Sequence, residues 1–508
     1  MNNAQPRMMC VELAPDEAER QFRMQAFPFL MGLGRSRGWR VSWHALGVPY
    51  DPKLRYALGP RDLRRLLAEA RRRRPLVILC NERLIDGQIA ALAAASGGAR
   101  VVYCPLAEGW IQEFPEFVRR EIPEFGGPPS PQWLRDLAPV FERETLNDFH
   151  GVADPLIRVV AGTRCSYRTR AADNPFFRGL DLPSATMPCS FCDMEPHENP
   201  VRAPVAFAVR QVAAACRQLP GETIERRFEL IGSGIWRRLE EFVRALSRAG
   251  VRGAELSFMP RLDEILDARD SIERCMPLLA EGGLSMRLYG AGVENFSAEE
   301  NMRLNKGITA KQVHEAAAFI SAARLRWPRE FRFKDGALSM ILFTPWTTLE
   351  DLRVNIENIE RCPLICPFFA LGRRLQIFPG AGRPVRLLAE RDGLVEASRT
   401  DSFYNSGCIV DAAQREIPWR FAHPEVEILC RLGLEIFRLR KIVRGGPGNG
   451  QALDPDRRAI VALLRGSTTP LPLFRRAIDA VERRPRIDSM KGLLVTLLTD
   501  ARNSPCSR

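Results

Sequence analysis

Short apolar runs alternate with amphipathic stretches along the first hundred residues. Apolar runs of this length predict strands, and stretches with apolar residues at every third or fourth position predict helices. The predicted elements are strands Met9–Leu13, Trp39–His44, Leu76–Cys80 and Val101–Cys104, with helices Arg20–Gly34, Leu63–Ala70 and Ile85–Ala95 between them. Alternation of strands and helices indicates an α/β domain with a parallel sheet, which we place at residues 1–110. Residues 111–154, rich in Pro and Trp, are predicted to be a linker with short helices.

The alternation resumes after Pro155 and continues for six strand–helix units. The predicted strands are Leu156–Ala161, Arg227–Ile231, Ala254–Phe258, Leu284–Tyr289, Ala337–Phe343 and Phe368–Ile377. The predicted helices are Ala206–Arg217, Trp236–Ala249, Ile265–Met276, Glu299–Leu304, Lys311–Ala323 and Leu349–Arg361. Six such units predict a partial (β/α)6 barrel over residues 155–397, with its chemistry beyond the carboxyl ends of the strands. Residues 398–508 are predicted to form a mainly helical accessory domain.

Composition narrows the class of protein. The chain has 508 residues, 45% of them hydrophobic, which suits two or three globular domains. It contains neither an apolar run of membrane-spanning length nor a signal-peptide pattern, so we expect a cytoplasmic protein without a membrane partner. The net charge of +13 comes mostly from arginine. Acidic residues are interleaved with these arginines throughout, which does not favour a nucleic-acid partner.

Three of the thirteen cysteines stand apart from the others. Most of the cysteines lie in apolar strands or helices and are expected to be small buried residues. Cys165, by contrast, is followed after 23 residues by the C-x-x-C pair Cys189 and Cys192. These three could hold an iron–sulfur cluster with one open iron, or a zinc ion together with His197. The spacing of the cysteines is compatible with either an iron–sulfur cluster or a zinc ion, but the five further β/α units that follow favour the cluster.

The span from about residue 155 to 380 resembles the radical S-adenosylmethionine (SAM) superfamily, especially its branch with an N-terminal cobalamin-binding-like domain. Phe191 occupies the aromatic position before the last cysteine of the family signature, although the gap after Cys165 is far longer than the usual three residues. Three further segments resemble the family: the Gly-rich turn 231–234, the segment GAGVENFSAEENMRLNKG at 290–307, and the strand and turn at 338–352.

The resemblance implies roles for particular residues. Cys165, Cys189 and Cys192 would bind a [4Fe–4S] cluster, and the turn Gly232, Ser233 and Gly234 would contact the methionine amino group of SAM. Glu294 would accept hydrogen bonds from the cofactor, and Thr344 and Pro345 would line the adenosine pocket. Glycines at a strand-to-helix turn also have a purely structural explanation, and Ser297 with Glu300 fits a helix capping box.

The resemblance also implies a reaction class. A radical SAM enzyme cleaves SAM reductively at its cluster, and the resulting 5′-deoxyadenosyl radical abstracts hydrogen from an unactivated C–H bond. The implied partners are a small-molecule or peptide substrate and an electron donor such as a flavodoxin or ferredoxin. No catalytic side chain is predicted. The alternative is a zinc-stabilised, non-catalytic nucleic-acid-binding protein, suggested by the charge and the Cys/His spacing.

The N-terminal domain resembles the Rossmann-like cobalamin-binding domains that precede many radical SAM barrels. Their metal-coordinating motif Asp-x-His-x-x-Gly is not present, since Ser42 replaces the Asp before His44 and the fragment follows the second strand. A lone histidine at a strand end is more often structural than a ligand. Cobalamin therefore stays open as a cofactor. With it, methyl transfer to an unreactive carbon is expected; without it, rearrangement, dehydrogenation and ring closure are equally open.

Overall fold

The computed structural model describes most of the chain. The described residues are 5–15, 21–22, 26–48, 58–82, 84–106, 111–146, 156–161, 165, 167–192, 203–219, 226–333, 336–377, 383–396, 417–444, 453–465, 467–484 and 486–502. Within these ranges no helix is both long enough and apolar enough to cross a bilayer.

Strands and helices alternate through most of the described chain. The strands are β1 (Arg7–Pro15), β2 (Gln21–Phe22), β3 (Arg40–Val48), β4 (Val77–Cys80), β5 (Arg100–Tyr103), β6 (Glu144–Thr145), β7 (Leu156–Val160), β8 (Thr169–Arg170), β9 (Thr186–Met187), β10 (Arg226–Ile231), β11 (Ala254–Phe258), β12 (Ser285–Leu288), β13 (Ala291–Glu294), β14 (Phe331–Phe333) and β15 (Leu338–Met340). The helices are α1 (Phe27–Ser36), α2 (Pro60–Arg73), α3 (Asp86–Ser96), α4 (Phe114–Glu121), α5 (Trp133–Asp136), α6 (Val205–Gln218), α7 (Leu239–Arg248), α8 (Leu262–Asp267), α9 (Arg269–Gly282), α10 (Ala298–Arg303), α11 (Ala310–Arg326), α12 (Leu349–Arg361), α13 (Pro367–Ala370), α14 (Pro384–Arg391), α15 (Pro424–Val443), α16 (Pro455–Leu464), α17 (Leu471–Arg483) and α18 (Met490–Arg502). Short 3-10 turns cover Pro123–Phe125, Ala171–Asp173 and Ser233–Arg238.

The N-terminal part contains a five-stranded sheet with the order β5-β4-β1-β3-β6. Every neighbouring pair is parallel. β1 lies in the middle, and its residues 8–13 are buried on both faces because helices cover both sides of a parallel sheet. The strand order reverses between β1 and β4, and Asn81, directly after β4, makes hydrogen bonds of 2.7 and 3.0 Å to the main-chain N–H and C=O of Leu13.

A second parallel sheet has the order β14-β12-β11-β10-β7-β2. Parallel pairing continues beyond it, from β13 to β15 and then through a single bridge from Phe343 to Arg374. Alternate residues such as Phe228 and Leu256 enter the main apolar core. Neighbouring positions on the same strands include charged residues. Among them, Glu255 is buried against arginines from three strands. The predicted α/β class with parallel sheets is confirmed, while the Rossmann-like and barrel layouts and the domain limits stay predictions.

The structure corrects two predicted elements. The stretch from Phe368 to Ile377 is not a strand, because Pro367 opens the helix α13 and only Arg374 pairs with a neighbouring strand. The helix predicted to begin at Arg20 begins instead at Phe27, with Pro28 in its first turn. Before it, the short strand β2 pairs with β7 and joins the N-terminal part to the second sheet. The described part of the C-terminal region is helical, from α15 to α18.

Candidate active site

The three candidate cysteines line one cavity of about 260 Å³. The cavity lies at the carboxyl ends of parallel strands, since the last residues of β10, β11 and β13 also line it. This is the end at which β/α folds place their chemistry. Aromatic and apolar side chains, including Phe191, Trp236 and Phe258, form much of the wall.

The C-x-x-C turn is attached to the end of helix α10. The N–H and hydroxyl of Ser190 donate to the carbonyls of Leu304 and Arg303, at 2.9 and 2.7 Å. The side-chain amide of Asn305 donates to the Pro188 carbonyl at 2.7 Å, and the Cys192 N–H closes the turn onto the Cys189 carbonyl at 3.0 Å. The cysteine pair is therefore positioned by a segment more than a hundred residues further along the chain.

Arg261 connects the two cysteine segments. Its guanidinium is buried and lies 3.7 Å from the ring centroid of Tyr167. One nitrogen of this guanidinium donates to the Cys189 sulfur at 3.3 Å and another donates to the Lys306 carbonyl at 2.7 Å. The main-chain N–H of Tyr167 donates to the Cys165 sulfur at 3.4 Å. Arg261 thus contacts both segments, through the sulfur of Cys189 and through the ring of Tyr167.

Glu294 forms a buried ion pair on the cavity wall. Its carboxylate accepts from the Lys306 ammonium at 2.8 Å, and both residues are buried. Glu294 has a φ of 63°, a conformation that is strained for a side chain of this kind. Gly292 makes the arrangement possible, because a Cβ there would lie 1.8 Å from a Glu294 oxygen and 2.7 Å from the Lys306 nitrogen.

Burial and the nearby cations Arg261 and Lys306 shift the pKa of the cysteine thiols in opposite directions. Burial raises the pKa of the Cys165 and Cys189 thiols, and Arg261 opposes the increase at both sites. Lys306 also opposes it at Cys189. Burial disfavours the Lys306 ammonium itself, but the Glu294 carboxylate and Cys189 outweigh burial and raise its pKa. Metal ligation needs thiolates, so a metal centre here would release protons and be stabilised by the cations beside it.

The three cysteine sulfurs are not all as close together as the ligands of one zinc ion. Tetrahedral zinc–sulfur bonds of about 2.3 Å place ligand sulfurs about 3.8 Å apart. Among the described residues, Cys165, Cys189 and Cys192 do not form a group whose sulfurs all lie within 4.8 Å of one another. A larger cluster can bridge more widely spaced sulfurs. His197, the fourth ligand of the zinc alternative, lies outside the described residues.

Of the other residues predicted to contact the cofactor, some line the cavity and some do not. Gly232 lines the cavity with a φ of 117°, and Glu294 lines it too. Ser233 and Gly234 open the 3-10 turn that follows β10. Neither Thr344 nor Pro345 is among the described residues that line the cavity. Thr344 is fully buried, and its hydroxyl donates to the Glu300 carboxylate.

Sequence reasoning missed several residues of the site. Arg261, Tyr167 and Trp236 carry no motif, and their role comes from contacts between distant segments. Lys306 belongs to the Lys-Gly end of the segment 290–307 that resembles the family, but no role was predicted for it. Glu264 also lines the cavity, and burial raises the pKa of its carboxyl.

Comparison with solved structures shows a protein of similar fold. No family model matches the chain, and no curated protein sequence matches it. A solved structure of the cobalamin-dependent S-adenosylmethionine radical enzyme OxsB aligns with 98% of this chain and 80% of its own, with a TM-score of 0.54 at 11% identity. The two folds are similar. A mutation variant of SsGBP aligns with 61% of this chain at 11% identity, but its TM-score of 0.16 does not indicate a common fold.

His44, the histidine of the incomplete cobalamin motif, belongs to the N-terminal sheet. It lies on β3, away from the β1–β4 switch point where ligands of such sheets bind. Its side chain is fully buried. Burial lowers the pKa of the imidazole to about 4, with Arg73 acting in the same direction. Residues 16–20, which follow β1 in the sequence, lie outside the described residues.

Proposed function

We propose that this chain is a radical SAM enzyme whose [4Fe–4S] cluster is held by Cys165, Cys189 and Cys192. The observation that carries the proposal is the convergence of these cysteines with Gly232 and Glu294 on one cavity at the carboxyl ends of parallel strands. Similarity of the fold to a SAM radical enzyme over 98% of the chain supports it. When bound, the cluster and SAM supply a 5′-deoxyadenosyl radical that acts on an unactivated C–H bond.

The protein residues would bind and orient the cofactor. Arg261 and Lys306 place two positive charges beside Cys189, which favours its thiolate and balances the negative charge of a thiolate-ligated centre. Glu294 uses one oxygen for Lys306 and has a second with which to accept from a ribose hydroxyl or an amino group. Trp236 and Phe258, both buried, exclude water from the wall.

Cobalamin is the second cofactor that we propose. OxsB is described as cobalamin-dependent, and the parallel five-stranded sheet precedes the cavity-bearing sheet along the chain. Methyl transfer to an unreactive carbon of a small-molecule or peptide substrate is then the expected reaction, with a flavodoxin or ferredoxin as electron donor. The visible spectrum of the purified protein tests this, because bound cobalamin absorbs separately from a cluster.

The decisive experiment is anaerobic reconstitution of the full chain with iron and sulfide. We expect about four irons per chain and formation of 5′-deoxyadenosine from SAM under reducing conditions. Cys189→Ala and Cys192→Ala should lose the iron, and Cys165→Ala tests the third ligand. Cys216→Ala is the matched control, because Cys216 is also half-buried but lies on α6 and is not a cavity residue. One zinc per chain and no SAM cleavage would contradict the proposal.

A further inference from the structure

His44 is a buried histidine without a hydrogen-bond partner. Its side chain has no solvent exposure, and neither ring nitrogen is hydrogen-bonded to any described residue. Buried polar atoms are almost always paired in folded proteins, because an unpaired one loses its bonds to water without replacement. An imidazole in this position therefore indicates a missing partner.

Two carboxylates from separate elements face this imidazole. Glu69 comes from α2, and Glu144 comes from β6, whose backbone pairs with β3 at His44 itself. The Nδ1 atom of His44 is 3.5 Å from a Glu144 oxygen. One ligand atom from each of the three residues lies within 4.8 Å of the other two. Ligands bound to one ion at about 2.1 Å lie at most about 4.2 Å apart, so small side-chain rotations would complete the site.

Arginines already hold the two carboxylates side by side. Arg73 donates to both oxygens of Glu144 at 3.0 and 2.8 Å and to Glu69 at 3.0 Å. Arg72 donates to the same oxygen of Glu69, the Oε2 atom. Hydrogen-bonded supports of this kind orient metal-ligating carboxylates in known sites.

We propose that His44, Glu69 and Glu144 bind a divalent first-row transition-metal ion. One imidazole and two carboxylates form a nitrogen and oxygen ligand set that suits Mn²⁺, Fe²⁺ or Zn²⁺. The ion would give the His44 imidazole its missing partner and tie the edge strand β6 to the helix α2. This site lies on the five-stranded sheet and does not depend on the function proposed for the cavity.

Mn²⁺ is the first probe, because it prefers oxygen and nitrogen ligands and avoids thiolates. The full chain is stripped with a chelator and titrated with Mn²⁺, and the loss of the free-ion electron paramagnetic resonance signal measures binding. We expect one Mn²⁺ per chain and a higher melting temperature on binding. Glu144→Gln should weaken binding at least tenfold, and because Glu144 is 59% exposed the variant should fold normally. His44→Gln, which keeps the side-chain volume, should weaken it as well.

Glu142→Gln is the matched control. Glu142 lies two residues earlier, is similarly exposed, and also pairs with an arginine, Arg35. It should leave Mn²⁺ binding unchanged. A repeat with Zn²⁺ should show the same Glu144-dependent component in addition to any binding at the cysteines. The proposal is overturned if neither ion binds at millimolar concentration, or if Glu144→Gln and Glu142→Gln bind equally.

Discussion

Two groups of three cysteines lie on neighbouring segments in different parts of the molecule. Cys10, Cys80 and Cys104 lie on or directly after the adjacent strands β1, β4 and β5. All three are almost wholly buried in apolar cores. Burial raises the pKa of Cys80 and Cys104 to about 12, and no cation opposes the increase.

The cysteines of the cavity have the opposite surroundings. Cys165 and Cys192 are half-buried, and the sulfur of Cys189 accepts from the Arg261 guanidinium. Buried cations and a strained, ion-paired glutamate complete the wall. The number of cysteines is therefore the same in both groups, and what distinguishes a candidate metal site is access and positive charge. Each of the following predictions tests that distinction.

The largest effect is expected from removing one of the cavity cations. Lys306→Met leaves the Glu294 carboxylate buried without its counter-ion, which should lower the free energy of unfolding by about 3–5 kcal/mol. Urea unfolding followed by circular dichroism measures it. Arg353→Gln is the control, because Arg353 forms partly exposed pairs with Asp479 and Glu482, each of which should be worth less than about 1 kcal/mol. Equal losses of unfolding free energy in the two variants would show that the buried Lys306–Glu294 pair contributes no more than an exposed ion pair.

A second prediction concerns the buried carboxyl of Glu300 on α10. Burial raises the pKa of Glu300 from its ordinary value of 4.5 to about 7, although Thr344 and Arg303 oppose the increase. Between about pH 4.5 and 7 the folded state therefore keeps a proton on Glu300 that the unfolded state releases. The protonated carboxyl contributes its full stability to the fold below about pH 4.5, and this contribution is lost as the pH rises through 7. The loss should approach about 3 kcal/mol.

Urea unfolding across this pH range measures the loss. Glu300→Gln should remove the dependence between pH 4.5 and 7. Glu299→Gln should retain it, because Glu299 pairs with the same Arg303 but is 59% exposed. A pH profile identical in the two variants would show that Glu300 is not the group that titrates.

Sequence periodicity located most elements because strands and amphipathic helices have local patterns. Ala254–Phe258 and Leu349–Arg361 have the bounds that the sequence predicts. Periodicity failed at Phe368–Ile377, where a proline begins a helix inside an apolar run. The C-x-x-C spacing is also a local pattern, while Glu294 was predicted from the family resemblance of its segment, and the structure places the cysteines and Glu294 on one cavity. The role of Arg261 could not be predicted from a local pattern, because it contacts the sulfur of Cys189, which lies 72 positions away in the sequence.

The two cysteine groups should differ in reactivity by at least about 100-fold. Iodoacetamide at pH 8, applied to the metal-free full chain, should modify Cys165 and Cys192 first, because both are only half-buried and Arg261 lies near Cys165. Cys10, Cys80 and Cys104 should react only after unfolding. Peptide mass spectrometry reads each site separately. Modification of both groups at one rate would mean that access and charge do not distinguish them.

The smallest effect is expected from a pair of glycine substitutions, one in each region. Gly292→Ala places a methyl group against the Glu294 oxygen and the Lys306 nitrogen, which must separate to admit it; we expect a loss of about 2 kcal/mol. Gly87→Ala, on α3 beside the five-stranded sheet, meets nothing within 4 Å and should stabilise the helix by about 0.5–1 kcal/mol. Urea unfolding of both variants measures the difference in sign. A stabilised Gly292→Ala would show that the ion pair is not confined by the backbone beneath it, and the cavity wall would then be as adaptable as the helix surface around Gly87.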